Sequence, residues 1–244
     1  MTYCMEWPDF DRQIAHLAPA SRAKVQEAFE LGKKVHDGQK RKSGEPYFTH
    51  PIEVALMLAR MGADEDTLIT ALLHDTVEDT PVTIEDIGAQ FGPSVQQLID
   101  GLTKLTAQEF AEKPTLNEQV ETLRKMFTLM RQDVRIMVIK LTDRLHNMQT
   151  IRFLPANRQL EMAMETADIY VRVASKLGMQ DMRDDLEGLC LSVTEPSTSI
   201  AFVYSSTALS YCSALCSESP RTMNTNGSPK SRCSASSRST IAAR

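Results

Sequence analysis

Four side chains that can bind a metal or move a proton fall within six positions of the stretch ALLHDTVEDTP, residues 71–81. His74 and Asp75 are adjacent, and Glu78 and Asp79 each follow one of them by four positions. On a continuous helix, residues four apart share a face. Three carboxylates this close repel one another unless a cation or raised pKa values relieve the repulsion. The stretch therefore indicates a site for a divalent metal.

Two other segments offer further metal ligands. His50 lies near a predicted helix start in the segment YFTHP. The segment KLTDRLHNMQT places Asp143 and Asn147 four residues apart on one predicted helix. Two imidazoles and two carboxylates on separate helices suit a first-row divalent ion that keeps water positions open, such as Mn²⁺, Fe²⁺ or Zn²⁺. Such an ion lowers the pKa of water and produces a nucleophile near neutral pH. The predicted ligands are His50, His74, Asp75 and Asp143.

A run of basic residues precedes His50. Lys40, Arg41 and Lys42 form this run, and the sequence SGEP then turns the chain toward the histidine. Guanidinium and ammonium groups beside a hydrolytic metal indicate an anionic substrate, most simply a phosphate ester. The sequence thus favours an enzyme acting on a small phosphorylated molecule.

The elements that must hold these residues read as helices. Apolar residues recur at helical spacing through most of residues 1–194, and no alternating strand pattern competes. Asp64 or Asp66 is expected to start a helix that continues through Asp79, and Asp133 to cap the helix that carries the last ligand. We predict an all-α fold, a single helical domain over residues 1–194.

The composition changes after residue 194. Residues 195–244 contain fourteen Ser and five Thr, and this bias predicts a low-complexity, disordered tail. The whole chain has a net charge of −5, which argues against a large nucleic-acid surface. It has no apolar run of about 18 residues, so no membrane span is predicted. The five cysteines lack C-x-x-C spacing, and the expected location is the reducing cytoplasm.

With these motifs in place, the chain resembles the hydrolase domain of the Rel/Spo homologues, enzymes of the alarmone (p)ppGpp within the HD-domain phosphohydrolase superfamily. The matching stretches are RKSGEPYFTHPIEVA, ALLHDTVEDT, GLTKL and IKLTDRLHNMQT, spread over about residues 20–192. The resemblance implies an HD-domain helical bundle. It also implies Mn²⁺-dependent hydrolysis of the 3′-diphosphate of ppGpp or pppGpp, which yields GDP or GTP and pyrophosphate.

The resemblance also implies roles for individual residues. Mn²⁺ would be held by His50, His74, Asp75 and Asp143. Glu78 and Asp79 would orient and activate the attacking water, and the sequence leaves open which of them takes the proton. Substrate binding would fall to Arg41 and Lys42 beside the guanine base, and to Ser43, Asn147 and Thr150 in the nucleoside pocket.

Two other functions stay open. One is an HD phosphohydrolase of another phosphorylated nucleotide, such as an NADPH 2′-phosphatase or a nucleotide monophosphatase. The other is a non-catalytic alarmone-binding protein. The long family members continue into a synthetase domain, for which residues 195–244 are too short and too biased in composition. The chain is therefore expected to be either a small hydrolase-only member or a long member cut short. Its expected partner is a small molecule, with no nucleic acid and no membrane, and its oligomeric state is left open.

Overall fold

The structure is a computed structural model that describes residues 5–109, 124 and 126–194. Within these ranges every regular element is helical, which confirms the predicted all-α fold. An isolated antiparallel bridge between Lys40 and Pro46 closes the loop that carries the basic run. The prediction of a disordered tail falls on residues 195–244, which lie outside the described residues.

The helices whose bounds fall within the described residues are labelled α1 to α11 in chain order, and residues 126–132 are also helical. The labelled helices are α1 Trp7–Gln13, α2 Pro19–Val35, α3 Thr49–Arg60, α4 Glu65–Leu73, α5 Thr76–Asp79, α6 Ile84–Phe91, α7 Pro93–Glu109, α8 Val134–Gln149, α9 Ala156–Glu165, α10 Val171–Lys176 and α11 Gln180–Thr194. A short 3₁₀ turn, Ile151–Phe153, follows α8, and a π-helical turn, Thr166–Tyr170, joins α9 to α10.

Helices α3, α4 and α8 form the part of the core that positions the site. Helix α3 packs against α4, and both pack against α8. Fully buried residues at this junction include Val54, Leu58, Leu68, Leu72, Ile139 and Leu141. Burial of each such side chain contributes roughly 1.5–3 kcal/mol. This apolar packing fixes the polar site residues that lie on these helices or directly after them.

Aspartate caps fix the starts of α4 and α8. The Asp64 side chain accepts a hydrogen bond from the Thr67 amide at 3.0 Å. Asp133 accepts one from the Arg135 amide at 2.9 Å. Of the two residues that could start the first of these helices, the structure therefore selects Asp64. Each cap contributes about 1 kcal/mol by satisfying an amide that has no partner inside the helix.

The prediction of one helix running through Asp79 is wrong, because the helix is interrupted at His74 and Asp75. Helix α4 ends at Leu73 and α5 begins at Thr76. The Nδ1 atom of His74 lies 2.7 Å from the carbonyl oxygen of Ala71. That carbonyl would accept the amide of Asp75 in a continuous helix. The side chain thus competes with the backbone, and the resulting turn aims two neighbouring side chains at one point.

Candidate metal centre and cavity

The four predicted metal ligands converge, although they come from three separate parts of the chain. Nε2 of His50 lies 3.0 Å from Oδ1 of Asp143 and 3.9 Å from Oδ2 of Asp75. Nε2 of His74 lies 3.1 Å from Oδ1 of Asp75 and 3.9 Å from Oδ1 of Asp143. Two imidazole nitrogens and two carboxylates therefore face a common point.

The hydrogen bonds of His74 leave its second nitrogen available as a ligand. Its Nδ1–H donates to the carbonyl of Ala71, so in the neutral imidazole Nε2 carries the lone pair. Burial lowers the pKa of His74, but the charges of Asp75 and Asp143 outweigh burial and raise that pKa. This Nε2 is buried and has no hydrogen-bond partner among the described residues. Orientation of a ligating imidazole by a backbone carbonyl is the usual arrangement at metal sites. The buried nitrogen without a partner, aimed at carboxylates, fits a divalent cation.

His50 has its own partner on the side away from the carboxylates. Its Nδ1 lies 2.7 Å from Nδ1 of His146, and Nη1 of Arg41 lies 3.2 Å from the same His146 atom. Burial, together with the neighbouring His50 and Arg41, lowers the pKa of His146 to about 3. His146 is therefore neutral at physiological pH. Residue types and spacing did not predict this role for His146, because it depends on a contact between α3 and α8.

Asp143 is held by two neighbours on its own helix. Its Oδ1 accepts a hydrogen bond from Nδ2 of Asn147 at 2.7 Å, and its Oδ2 lies 3.3 Å from Nζ of Lys140. Burial raises the pKa of Asp143, but the charge of Lys140 and the contact with His50 outweigh burial and hold that pKa well below its usual range. The carboxylate is thus ionised and ready to act as a ligand.

Tyr47 joins the metal-ligand group to the acidic pair. Its hydroxyl lies 2.9 Å from Oδ2 of Asp75 and 2.7 Å from Oδ2 of Asp79. Burial and these two carboxylates raise the pKa of Tyr47 far above its usual value, so the phenol keeps its proton. Tyr47 was not among the predicted site residues, since it is separated from Asp75 by 28 positions and no sequence pattern indicates the contact.

All eleven predicted site residues line one cavity of about 510 Å³, a size typical of small-molecule sites. These residues are Arg41, Lys42, Ser43, His50, His74, Asp75, Glu78, Asp79, Asp143, Asn147 and Thr150. Glu78 and Asp79 are exposed at the cavity, and Arg41 is partly buried. Ser43 donates to Glu45, and Thr150 donates to the carbonyl of His146 at the end of α8. The structure thus brings the predicted set together, while the roles of its members stay predictions.

Two further cations line the cavity and were not predicted. Lys140 and Arg144 are both about 5% exposed, and both project from α8. The guanidinium of Arg144 lies over the ring of Tyr170 and bonds to its hydroxyl and to Glu165. Buried cations at a cavity wall suit a phosphorylated ligand. The available signal was their spacing with Asp143 and Asn147 on one helix.

None of the described helices is both long and apolar enough to cross a membrane.

The chain belongs to the HD domain family, whose model matches residues 28–180. The GTP pyrophosphokinase of Streptomyces coelicolor is 46% identical over 172 residues, which are 70% of this chain and 20% of that protein. The GTP pyrophosphokinase rsh of Brucella ovis is 44% identical over 176 residues, 72% of this chain and 23% of that protein. The expected similarity to Rel/Spo homologues is thereby confirmed. The chain spans about a fifth of the length of these curated relatives.

A solved structure shares the fold. It is described as a metazoan ortholog of SpoT that hydrolyzes ppGpp and plays a role in starvation responses. The match has a TM-score of 0.52 and 23% sequence identity, and it covers 73% of this chain and 97% of that one. At this level of identity the match supports the helical fold and no more.

Proposed function

We propose that this protein hydrolyses the 3′-diphosphate of ppGpp or pppGpp with Mn²⁺ as its cofactor, which yields GDP or GTP and pyrophosphate. The observation that carries the proposal is the convergence of His50, His74, Asp75 and Asp143 in a cavity lined by cations. The HD domain family match and the 44% identity to the GTP pyrophosphokinase rsh of Brucella ovis support a guanosine polyphosphate as the substrate.

The proposed cofactor would be held by the two imidazole Nε2 atoms and the two carboxylates. When bound, a divalent cation supplies Lewis acidity and lowers the pKa of water toward neutrality. The chain's own contribution is preorganisation. His74 is oriented by Ala71, and Asp143 is oriented by Asn147 and Lys140. Soft thiolate ligands are absent from the four residues, which favours ions that prefer imidazole and carboxylate.

Glu78 and Asp79 would accept or relay the proton of the attacking water. Both line the cavity, and the side chain of Asp79 accepts the Tyr47 hydroxyl. In the proposed reaction the water oxygen forms a bond to the phosphorus attached to the ribose 3′-oxygen, and the bond from that phosphorus to the 3′-oxygen breaks. One carboxylate takes the water proton, and the departing nucleoside oxygen gains a proton.

The cationic side chains other than Arg41 and Lys42, the pair expected beside the guanine base, would bind the phosphates and offset charge as the bond breaks. Lys40, Arg41, Lys42, Lys140 and Arg144 all line the cavity. Donors fixed in place before reaction stabilise charge that develops on phosphoryl oxygens. The exposed Lys42 lies in the same loop as Arg41, at the cavity rim, where it can meet an incoming polyanion.

The decisive experiment is incubation of purified full-length protein with Mn²⁺ and ppGpp, with products resolved by anion-exchange chromatography. We expect GDP and pyrophosphate in equal amounts, and no turnover by Asp75→Ala. Faster turnover of NADPH or a 2′-deoxynucleoside monophosphate would instead indicate a phosphohydrolase of another nucleotide. Binding of ppGpp with Mn²⁺ but without pyrophosphate release would indicate a non-catalytic alarmone-binding protein.

A further inference from the structure

Arg41 lies between two polar side chains of α8. Its Nη1 is 3.2 Å from Nδ1 of His146, and its Nη2 is 3.0 Å from Oδ1 of Asn147. A guanidinium can only donate hydrogen bonds, and it keeps its proton at every physiological pH. Both contacted atoms must therefore be acceptors. The arginine thus fixes the orientation of an imidazole and of an amide at the same time.

The first consequence concerns His50. Because Nδ1 of His146 accepts from Arg41, the His146 proton is on Nε2. Nδ1 of His50 lies 2.7 Å from the same acceptor and must donate to it. The lone pair of neutral His50 is then on Nε2, which is the atom that faces Asp143. This is the tautomer that a metal-ligating histidine requires.

The second consequence concerns Asp143. Because Oδ1 of Asn147 accepts from Arg41, the NH₂ group of the amide points the other way. That NH₂ group donates to Oδ1 of Asp143 at 2.7 Å. Arg41 is thus linked by hydrogen bonds to two of the proposed ligands. His146 connects it to His50, and Asn147 connects it to Asp143. The five residues form a closed ring, because His50 and Asp143 lie 3.0 Å apart.

We propose that Arg41 is a positioning residue of the metal centre, which it serves through His146 and Asn147. This inference rests on the metal site of the proposed function but not on the identity of the substrate. Arg41 would therefore have this positioning role in the protein before any nucleotide binds. Lysine could not perform it, because one ammonium group cannot present two fixed donors to two separated acceptors as a planar guanidinium does.

The test measures the dissociation constant of Mn²⁺ by electron paramagnetic resonance, with the full chain and without nucleotide. We expect Arg41→Met and Arg41→Lys to weaken Mn²⁺ binding by roughly 10- to 100-fold, the usual cost of losing a residue that orients a ligand. Lys42→Met is the matched control, because it removes the same charge from the next position of the same loop. We expect that variant to bind Mn²⁺ within about twofold of the wild type, since an exposed charge there is largely screened.

A second pair of variants separates hydrogen bonding from packing. His146→Asn keeps an acceptor near the position of Nδ1, whereas His146→Leu removes it. We expect Asn to retain most of the Mn²⁺ affinity and Leu to lose as much as Arg41→Met, with circular dichroism confirming folded helices. If Arg41→Lys binds Mn²⁺ as tightly as the wild type, or if Lys42→Met loses as much affinity as Arg41→Met, the inference is wrong.

The outcome is separable from that of the proposed function. Mn²⁺ binding that depends on Arg41 in a protein that does not hydrolyse ppGpp would contradict the substrate assignment alone. Hydrolysis of ppGpp by wild-type protein, with Mn²⁺ affinity unchanged in Arg41→Lys and a raised KM for nucleotide, would contradict the positioning role alone.

Discussion

At the scale of single residues, the Tyr47 hydroxyl has an unusual position, since it lies within 2.9 Å of two carboxylates with different proposed duties. Asp75 is a proposed metal ligand, and Asp79 belongs to the proposed proton-transfer pair. One phenolic proton can satisfy only one carboxylate at a time, so the other depends on a nearby cation. The raised pKa of Tyr47 keeps that proton in place and excludes the phenolate as the general base.

Tyr47→Phe removes this shared donor with little change in volume. We expect Mn²⁺ affinity to fall about 10-fold, because Asp75 loses an orienting partner. Turnover should fall as well, because Asp79 loses its contact. Electron paramagnetic resonance titration and initial rates measure the two effects. Tyr170→Phe is the control for the Mn²⁺ affinity alone, since that hydroxyl accepts a hydrogen bond from Arg144 rather than contacting a proposed metal ligand. Wild-type affinity and rate in Tyr47→Phe would show that the hydroxyl has no part in the site.

Residue types and spacing were sufficient to predict that two imidazoles and two carboxylates converge, because such side chains are rare on apolar helices; their role as metal ligands stays a prediction. Types and spacing were insufficient for Tyr47 and His146. The first contacts Asp75 across 28 positions, and the second contacts His50 across 96 positions. A histidine or a tyrosine considered from its residue type alone could either pack in the core or orient a metal ligand. Only the three-dimensional contacts distinguish these two uses.

At the scale of elements, the approach of α2 to α4 depends on a glycine. A Cβ atom at Gly32 would lie 2.3 Å from Cε2 of Phe48 and 3.1 Å from the carbonyl oxygen of Leu72. Phe48 cannot easily move, because it is buried and makes an edge contact with Phe29 at 5.4 Å between ring centres. Phe48 also lies two residues before His50, so this packing supports the start of α3.

Gly32→Ala should therefore destabilise the protein. Overpacking costs about 1–3 kcal/mol, and the gain in helix propensity from Gly to Ala returns roughly 1 kcal/mol. We expect a net loss of up to about 2 kcal/mol in the free energy of unfolding, measured in urea. Gly88→Ala is the control, because its added Cβ meets the flexible side chain of Gln96. A Gly32→Ala variant at least as stable as the wild type would contradict the close packing.

Arg135 joins the start of α8, which carries Asp143, to the start of α4, which is followed directly by His74 and Asp75. It contacts Asp133 at 2.7 Å and Asp64 at 2.8 Å, the caps of α8 and α4. The Arg135 hydrogen bond lowers the pKa of Asp133. Burial raises the pKa of Asp64, but hydrogen bonds from Thr67 and the charge of Arg135 outweigh it and lower that pKa.

Arg135→Met should reduce stability in a pH-dependent way. Because folding lowers the pKa values of Asp133 and Asp64, the stabilisation from Arg135 is fully present above their unfolded pKa of about 3.9. It is lost as the pH falls through their folded pKa values. We expect a loss of about 1 kcal/mol at pH 7 and almost none near pH 2. Urea unfolding of wild type and Arg135→Met at several pH values measures this loss in the free energy of unfolding. Lys104→Met, which removes an exposed pair with Asp100 on α7, should cost less than about 0.5 kcal/mol. A loss that stays constant with pH would point to packing alone.

At the scale of the whole molecule, helix content followed from periodicity and caps, but the arrangement of helices did not. No individual bounds were predicted for α1 or α7, although Val95, Leu98 and Leu102 of α7 are buried at helical spacing. The prediction extended one helix through His74, because helix propensity does not account for a side chain that hydrogen-bonds to a backbone carbonyl of its own helix. The meeting of α3, α4 and α8 depends on long-range packing, which no local pattern encodes.

Because the proposed ligands come from α3, from the turn after α4 and from α8, a bound cation would tie these three elements together. Any ligand that binds only the folded state stabilises it, by about 2.7 kcal/mol at a concentration 100 times its Kd. For a domain of this size, that corresponds to a rise in Tm of roughly 5–10 °C. We expect this rise when Mn²⁺ is added to chelator-treated protein, measured by differential scanning calorimetry, and we expect excess chelator to reverse it. Asp75→Ala should show almost no rise at the same Mn²⁺ concentration, since it retains the helices but lacks one ligand. An equal rise in that variant would mean that Mn²⁺ stabilises the protein from somewhere other than this centre.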